Sequence, residues 1–357
     1  MERQRKMENR IAISFIIPAH NAEKFLARSV ESVVKEANQT ENAKSIEVII
    51  IENGSSDHTN QLGKKLAEKY ENVFLICSEK GVSNARNAGL EAARGEWIFF
   101  LDADDYLPVG TIEKLLKKIK AEENTDLHIF SYEKGTDIVD VTGSQRQASY
   151  QDAAVKDGLT EMLWNPTRCM AVWGKLFRNS LIQQSSLKFN KNLSLAEDSD
   201  YLIRYIMKCS SMTFSADICY HYSTDAGSAM RTYDGKKAAG YLLSLQTTQK
   251  AIQTGDEQLT LAYQVYVLMH LNVIMVREVF SSGNTASFSE KVKVLKNMLQ
   301  KDIFSKALYA VPASSCRSAR MLPILLLKCH QYYLCGKIYE LRAIQNAKRE
   351  KTAGDYQ

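Results

Sequence analysis

The run Asp102-Ala103-Asp104-Asp105 places three carboxylates within four residues, directly behind the apolar stretch Phe99-Phe100-Leu101. Carboxylates so close repel one another, and a hard cation or a hydrogen-bonding ligand relieves that repulsion. Magnesium or manganese suits such a cluster, because each takes a few carboxylates and completes its shell with phosphate oxygens. The same residues would serve equally as a capped acidic turn ahead of a helix after Pro108. A second group, Gly81-Val82-Ser83-Asn84-Ala85-Arg86, opens a helix with small residues and one arginine. Free N–H groups at a helix start favour anions, and Arg86 could reach a phosphate or a base. Alternatively, the small residues let that helix pack closely on a sheet. Glu52 and Asn53 stand where a base or ribose could be read, Glu52 as an acceptor only and Asn53 as both donor and acceptor; the other reading is a helix cap. Ala196-Glu197-Asp198-Ser199-Asp200 begins another helix, a place where the dipole favours carboxylates in any case. Trp173-Gly174-Lys175 offers an aromatic wall and a cation, or simply packs.

The elements that must position these residues alternate. Ile13–Ile17, Ile46–Ile51, Val73–Cys77 and Trp97–Leu101 are short apolar, β-branched or aromatic runs that read as buried strands. Between them, Ala22–Ala37, the stretch around Leu62 and Leu66, and Ser83–Ala93 carry helical spacing. Such alternation predicts βαβ units, an α/β fold and a mostly parallel sheet with helices on both faces. Ligands of such sheets bind beyond the carboxyl ends of the strands. Pro18-Ala19-His20-Asn21, Glu52-Asn53-Gly54 and the acidic cluster all sit at strand ends. Residues 136–235 are mixed, with a loop expected over 141–157, and from about 236 the pattern is almost wholly helical.

With 357 residues, 45% hydrophobic and 24% charged, the chain can bury two cores and is not disordered. Its charged start, MERQRKMENR, and the short run ending at Pro18 lack the pattern of a secretory leader. No uninterrupted apolar run approaches the roughly 20 residues of a spanning helix. Seven cysteines, an odd number without a C-x-x-C pair, argue against a disulfide framework or a zinc site and fit a reducing cytoplasm. The net charge of +5 is concentrated in residues 301–357, where ten Lys/Arg face four Asp/Glu.

Taken in order, SFIIPAHN, EVIIIENGSSD, KGVSNARNAGLEAARGEWIFFLDADD, WGKLF and AEDSDYLIR closely resemble the family 2 glycosyltransferases over residues 11–225. The resemblance implies the GT-A fold, a nucleotide-sugar half over 11–135 and an acceptor half over 136–235, behind a basic extension at 1–10 and ahead of a helical region at 236–357. It implies an inverting transfer from a nucleotide-diphosphate sugar, of the UDP type, to a hydroxyl of a glycan or lipid-linked saccharide. Pro18, His20, Glu52, Asn53 and Arg86 would line the nucleotide pocket, and Asp102 would approach the ribose. Asp104 would bind Mg2+ or Mn2+, Asp105 would be structural, and Asp198 would be the general base. Trp173, Lys175 and Glu197 are acceptor-side candidates, and His221 is a diphosphate or metal contact or else a satisfied core histidine. Two departures from the pattern bear on base recognition: His20 stands where many relatives have Tyr or Phe, and Asn53 where many have Asp.

Residues 321–345 interleave Leu325, Leu326, Tyr332, Tyr333, Leu334, Ile338 and Tyr339 with Lys328, Lys337 and Arg342. This suits an interfacial helix on an anionic membrane, hence a peripheral place on the inner face of the plasma membrane, or a helical bundle. No nucleic-acid partner is implied. A nucleotidyltransferase would show a Gly- and Lys/Arg-rich loop where Pro18-Ala19-His20-Asn21 stands, and intact Asp102, Asp104 and Asp198 speak against an inactive membrane-attached scaffold.

Overall fold

The computed structural model describes residues 10–39, 43–142, 147–224, 235, 237–252 and 255–354. The chain divides into two units, one over residues 1–158 and 168–223 and one over 159–167 and 224–357. The first unit therefore ends at Ser223 rather than near 235, and all of the expected basic extension except Arg10 lies outside the described residues.

In the first unit β1 (Ile13–Ala19) leads through α1 (Leu26–Asn38) to β2 (Ile46–Glu52). Then come α2 (Thr59–Lys69), β3 (Val73–Cys77), α3 (Val82–Ala92), β4 (Trp97–Phe100) and α4 (Thr111–Ala121). The remaining elements are β5 (Leu127–Lys134), β6 (Asp137–Val139), β7 (Gln147–Gln151), the helices α5 (Val155–Trp164) and α6 (Pro166–Cys169), β8 (Lys175–Arg178), α7 (Asn179–Gln184), α8 (Glu197–Ile206) and β9 (Ser211–Tyr222). Strand β2 is buried along its whole length, as its run of β-branched residues requires, and α1 buries Leu26, Val30, Val33, Val34 and Ala37 on one stripe. Helix α3 sits tightly on β1: a Cβ on Gly89 would lie 2.3 Å from Ile16 Cγ2. The close-packing role of the small residues in α3 is thus met.

Nine strands make one sheet, in the order β3-β2-β1-β4-β8-β5-β9-β7 with β6 on β5. The first four run parallel, but β8 pairs antiparallel with both β4 and β5, and β7 antiparallel with β9. The sheet is therefore mixed, with its longest ladders parallel. The division expected at 135/136 is not a break, because β5, β8 and β9 continue the sheet begun by β1–β4. The loop expected over 141–157 contains β7 and the start of α5, with residues 143–146 outside the described part. Short polar strands at a sheet edge carry little apolar periodicity, which is why β7 reads as loop in the sequence.

The second unit is helical, with α9 (Lys237–Ala251), α10 (Glu257–Ile274), a π-helical turn at Met275–Val279, α11 (Phe288–Leu299), α12 (Asp302–Ala310), α13 (Leu322–Lys328) and α14 (Tyr332–Gly354). Asp256 caps α10 by accepting from the Leu259 N–H, and Ser287 with Glu290 forms a capping box on α11. Glu257–Val279 is a helix long and apolar enough to cross a membrane, which corrects the expectation that none exists; polar residues such as Gln264 and Asn272 hide it from a search for unbroken runs. Its most apolar stretch is 61% buried within the structure, as fits the central helix of a bundle. The tail is not one interfacial helix. His330, at φ 57°, breaks it between α13 and α14, which bury Ile324, Leu327, Cys335 and Tyr339 and leave Tyr333, Leu334 and Leu341 exposed. All seven cysteines are free.

Candidate active site

Three strand ends and the start of α8 supply the site. At the end of β4 the chain turns through Asp102-Ala103-Asp104-Asp105, and the turn is fastened from below. Tyr220 on β9 donates its phenolic O–H to Asp105 Oδ2 at 2.5 Å, and the Tyr220 oxygen accepts from the Asp102 N–H at 3.2 Å. The Ser223 N–H donates to Asp105 Oδ1 at 2.8 Å, so the buried Asp105 has the structural role expected of it. Arg28 on α1 donates to the Asp104 carbonyl at 2.6 Å and to Ser223 Oγ at 2.9 Å, with its guanidinium 4.9 Å from the Tyr106 ring centroid. Neither Arg28 nor Tyr220 is singled out by sequence reasoning. Arg28 lies 76 residues from its partner, and Tyr220 stands out only as part of the aromatic group Cys219-Tyr220-His221-Tyr222.

Arg86 gathers the acidic groups. Its side chain is 4% exposed and its Nη1 contacts Glu197 Oε1 at 2.9 Å and Asp198 Oδ1 at 2.5 Å, while Nη2 lies 3.6 Å from Asp102 Oδ1. Burial alone would lower the guanidinium pKa, but Asp198, Asp102 and Glu197 raise it. Its Nη groups thus serve three carboxylates. Asp198 also accepts from the Val172 N–H at 3.3 Å. Ala196, at φ 55°, is a non-glycine residue in the left-handed region, and this bend starts α8 so that Glu197 and Asp198 meet Arg86.

The carboxyls crowd. Burial raises the Asp102 pKa, with Asp198 and Asp104 adding to it and Arg86 opposing. Burial likewise raises Asp104, against the pull of Arg28, and raises Glu197, with Asp198 adding to it. Among the described residues no three His, Cys, Asp or Glu side chains converge as a complete metal-ligand set. Mg2+ or Mn2+ needs only one or two carboxylates when phosphate oxygens complete the shell. The half-buried, mutually repelling Asp102 and Asp104 fit a cation held together with a diphosphate. His221 is otherwise engaged: Nδ1 lies 2.8 Å from Glu133 Oε2, and the ring stacks on Tyr106 at 4.2 Å. Of the two readings, the geometry matches the satisfied histidine.

A separate corner forms at the ends of β1 and β2. His20 Nδ1 donates to the Asn53 carbonyl at 2.9 Å, which puts the ring proton on Nδ1. Asn53 itself is buried, and its amide pairs reciprocally with Gly81, donating to the carbonyl at 2.8 Å and accepting from the N–H at 2.7 Å. Gly81 has φ 126°, a conformation that a side chain resists. Asn53 therefore fixes the start of α3. Glu52 accepts from the Ser55 N–H at 2.6 Å; burial pushes its pKa up, yet hydrogen bonds from Ser55 and Gly54 hold it below the ordinary range. Pro18 lies in register with Ile51 at the end of β1.

Trp173 is half-buried, stacked on Tyr220 at 4.6 Å and met edge-on by Tyr132 at 4.7 Å, with Tyr222 at 5.7 Å. Such a platform suits the apolar face of a sugar ring. Its backbone bridges to Phe100 on β4, and Lys175 Nζ donates to the Trp173 carbonyl at 3.3 Å. Burial pushes Lys175 down to about 8, with Cys169 and Asp198 pulling the other way.

Residues 14–175 match the glycosyl transferase family 2 model. EpsH of Bacillus subtilis (strain 168), whose name places it among glycosyltransferases, is 26% identical over 324 residues, 89% of this chain and 91% of that protein. TarP of Staphylococcus aureus (strain N315), a poly(ribitol-phosphate) β-N-acetylglucosaminyltransferase, is 27% identical over 325 residues, 85% and 90% of the two chains. Among solved structures, S. aureus TarS 1-349 in complex with UDP-GlcNAc superposes with a TM-score of 0.64 at 19% identity, covering 94% of this chain and 92% of that one. A mannosyltransferase from Pyrobaculum calidifontis, in complex with GDP-Man and Mn2+, does so with a TM-score of 0.50 at 15% identity, over 93% and 87%. The strand-end acidic turn, the GT-A sheet and these relationships agree: residues 14–175 form a domain of the glycosyl transferase family 2 type.

Proposed function

We propose that the protein transfers a sugar from a UDP-linked donor, with inversion, to a hydroxyl of a surface-glycan acceptor, and that Asp198 is the general base. The observation that carries this reading is the meeting of Asp198 and Glu197 from α8 with Asp102 from the β4 turn around Arg86. It brings a carboxylate able to take a proton next to the turn that would face a diphosphate. The UDP-GlcNAc in the TarS structure and the poly(ribitol-phosphate) acceptor in the name of TarP support a UDP-sugar and a hydroxyl-rich, polyol-phosphate or saccharide acceptor.

An acceptor hydroxyl is a weak nucleophile until its proton is accepted. Asp198 Oδ takes that proton as the acceptor oxygen forms its bond to the anomeric carbon. The bond from that carbon to the diphosphate oxygen breaks on the opposite face, and the electron pair leaves with the nucleoside diphosphate. One in-line displacement inverts the centre and needs no enzyme nucleophile. Arg86 holds Asp198 in place through its Nη1, and the Trp173 platform orients the acceptor ring. Asp104, with Asp102 beside it, would hold Mg2+ or Mn2+, which when bound would supply positive charge against the developing diphosphate. His20, Glu52 and Pro18 line the nucleoside end. The reading places the enzyme in the cytoplasm, at the inner face of the plasma membrane.

The test is a panel of nucleotide sugars assayed for diphosphate release, with and without Mg2+ or Mn2+. UDP-sugars should turn over, and Asp104→Asn should weaken nucleotide affinity about tenfold with the metal present and little without it. Equal affinity of the variant and the parent in both conditions would remove Asp104 from the metal role.

A further inference from the structure

The helical unit contains a groove of about 550 Å3 between α11, α12 and the α13–α14 turn. We infer that this groove is a second binding site, for an anionic phosphodiester-linked polyol or sugar chain, separate from the transfer chemistry. Leu299, Leu308 and Leu327 line it as apolar surface, while Lys296, Lys328 and His330 supply its basic groups. No carboxylate lines it, and neither lysine makes an ion pair among the described residues. The nearest carboxylate on α12, Asp302, is matched to Lys306. By contrast, the larger groove of about 850 Å3 along β3 mixes Glu47, Glu68 and Glu71 with Lys64 and Arg94, and favours neither sign.

Two aromatic rings complete the chemistry. Tyr309 lines the groove and is 92% exposed, so its ring is open to a ligand. Tyr332 lies under Lys296, whose ammonium is 5.0 Å from the ring centroid. Rings with apolar surface stack on polyol and sugar carbons, and ammonium groups pair with phosphate oxygens. The lining is also held in shape. His330 sits at φ 57°, outside the ordinary range for a non-glycine residue, and its Nδ1 pairs with Tyr332 Oη at 2.8 Å. Lys328 Nζ donates to the Leu308 carbonyl, tying α13 to α12 with its charge at the groove. A volume of this size accommodates a few polyol-phosphate units, within the usual range for small-molecule sites.

The full-length protein, with UDP present so that phosphate binding at the transfer site is suppressed, should be titrated by calorimetry with a short poly(glycerol phosphate) oligomer. A neutral dextran oligomer and vesicles of phosphatidylglycerol in phosphatidylcholine are the comparison ligands. Lys296 and Tyr309 are exposed, so Lys296→Gln and Tyr309→Ala leave the fold intact. Each should weaken oligomer binding about tenfold, and added salt should weaken the parent further. Diphosphate release with a small acceptor should be unchanged in both variants, which separates failure here from failure of the transfer reading. Oligomer affinity unaltered in both variants, or dextran bound as tightly as the phosphate oligomer, would overturn the inference. So would binding to the vesicles with none to the oligomer, which would identify the groove as part of a lipid-facing surface.

Discussion

Asp198→Asn separates the base from its surroundings because asparagine keeps the shape and one acceptor oxygen. The amide oxygen can still accept from Arg86 Nη1, and Arg86 also retains Glu197 at 2.9 Å and Asp102 at 3.6 Å, while the weaker 3.3 Å contact from the Val172 N–H to the other oxygen is lost. The loss in folding stability should therefore be about 1–3 kcal/mol, from the weaker neutral acceptor and the unmet Val172 N–H. Proton acceptance is lost altogether, and a positioned general base contributes about 10² to 10⁴ in rate. At about 1.4 kcal/mol per factor of ten, the barrier should rise by about 3–5 kcal/mol. The assay is steady-state diphosphate release at saturating acceptor, paired with calorimetric nucleotide affinity, which should change less than about threefold. Glu197→Gln is the control, for Glu197 shares the same guanidinium and is more buried, at 14% exposure against 20%. It should lose less than about tenfold in kcat. If Asp198→Asn kept more than a tenth of the parent kcat, or Glu197→Gln lost as much as Asp198→Asn, the cluster would matter as a charged unit and Asp198 would not be the base.

Two further outcomes test the fold that holds the site. Gly89→Ala should destabilise the protein by about 1–3 kcal/mol, seen as a lower urea midpoint, because overpacking against Ile16 at 2.3 Å outweighs the gain of about 1 kcal/mol that alanine brings to a helix. His128 is fully buried, and desolvation, aided by Lys118 and Arg178, pushes its pKa down to about 3. The unfolded chain then binds the proton first, so stability is complete above about pH 6.5 and declines as pH falls toward the folded value, by about 1.4 kcal/mol per unit. His128→Phe should roughly halve the histidine-driven slope of Tm between about pH 6.5 and 4, leaving the comparable contribution of the other buried histidine, His270, at about 4. An unchanged slope would show that His128 is not buried as the neutral ring.

The parallel half of the sheet was legible because unbroken runs such as Ile46–Ile51 can only be buried strands, and the acidic turn was legible because three carboxylates behind an apolar strand demand a reason. The partners of those residues were not. Arg86 has a strand-end carboxylate and two carboxylates over 100 residues away as neighbours, and no local spacing reports that. Asn53 looks available in the sequence and is committed to Gly81 in space. Tyr220 gains its place because β9 runs beside β5, a pairing set by tertiary contacts rather than by periodicity. The helix Glu257–Val279 shows the opposite failure: its character is averaged over many residues, and interruption by single polar side chains conceals it.

The antiparallel strand β8 between β4 and β5 has an effect on how such a protein can change. The Phe100–Trp173 bridge ties the acidic turn's own strand to the aromatic platform, so on the proposed reading the distance from leaving group to acceptor would be set by backbone hydrogen bonds and not by a hinge. A new acceptor cannot be accommodated by opening the two halves. Divergence is confined to exchanging the side chains on either side of that fixed gap, such as Trp173, Lys175 or Tyr222, while the reaction geometry is inherited unchanged.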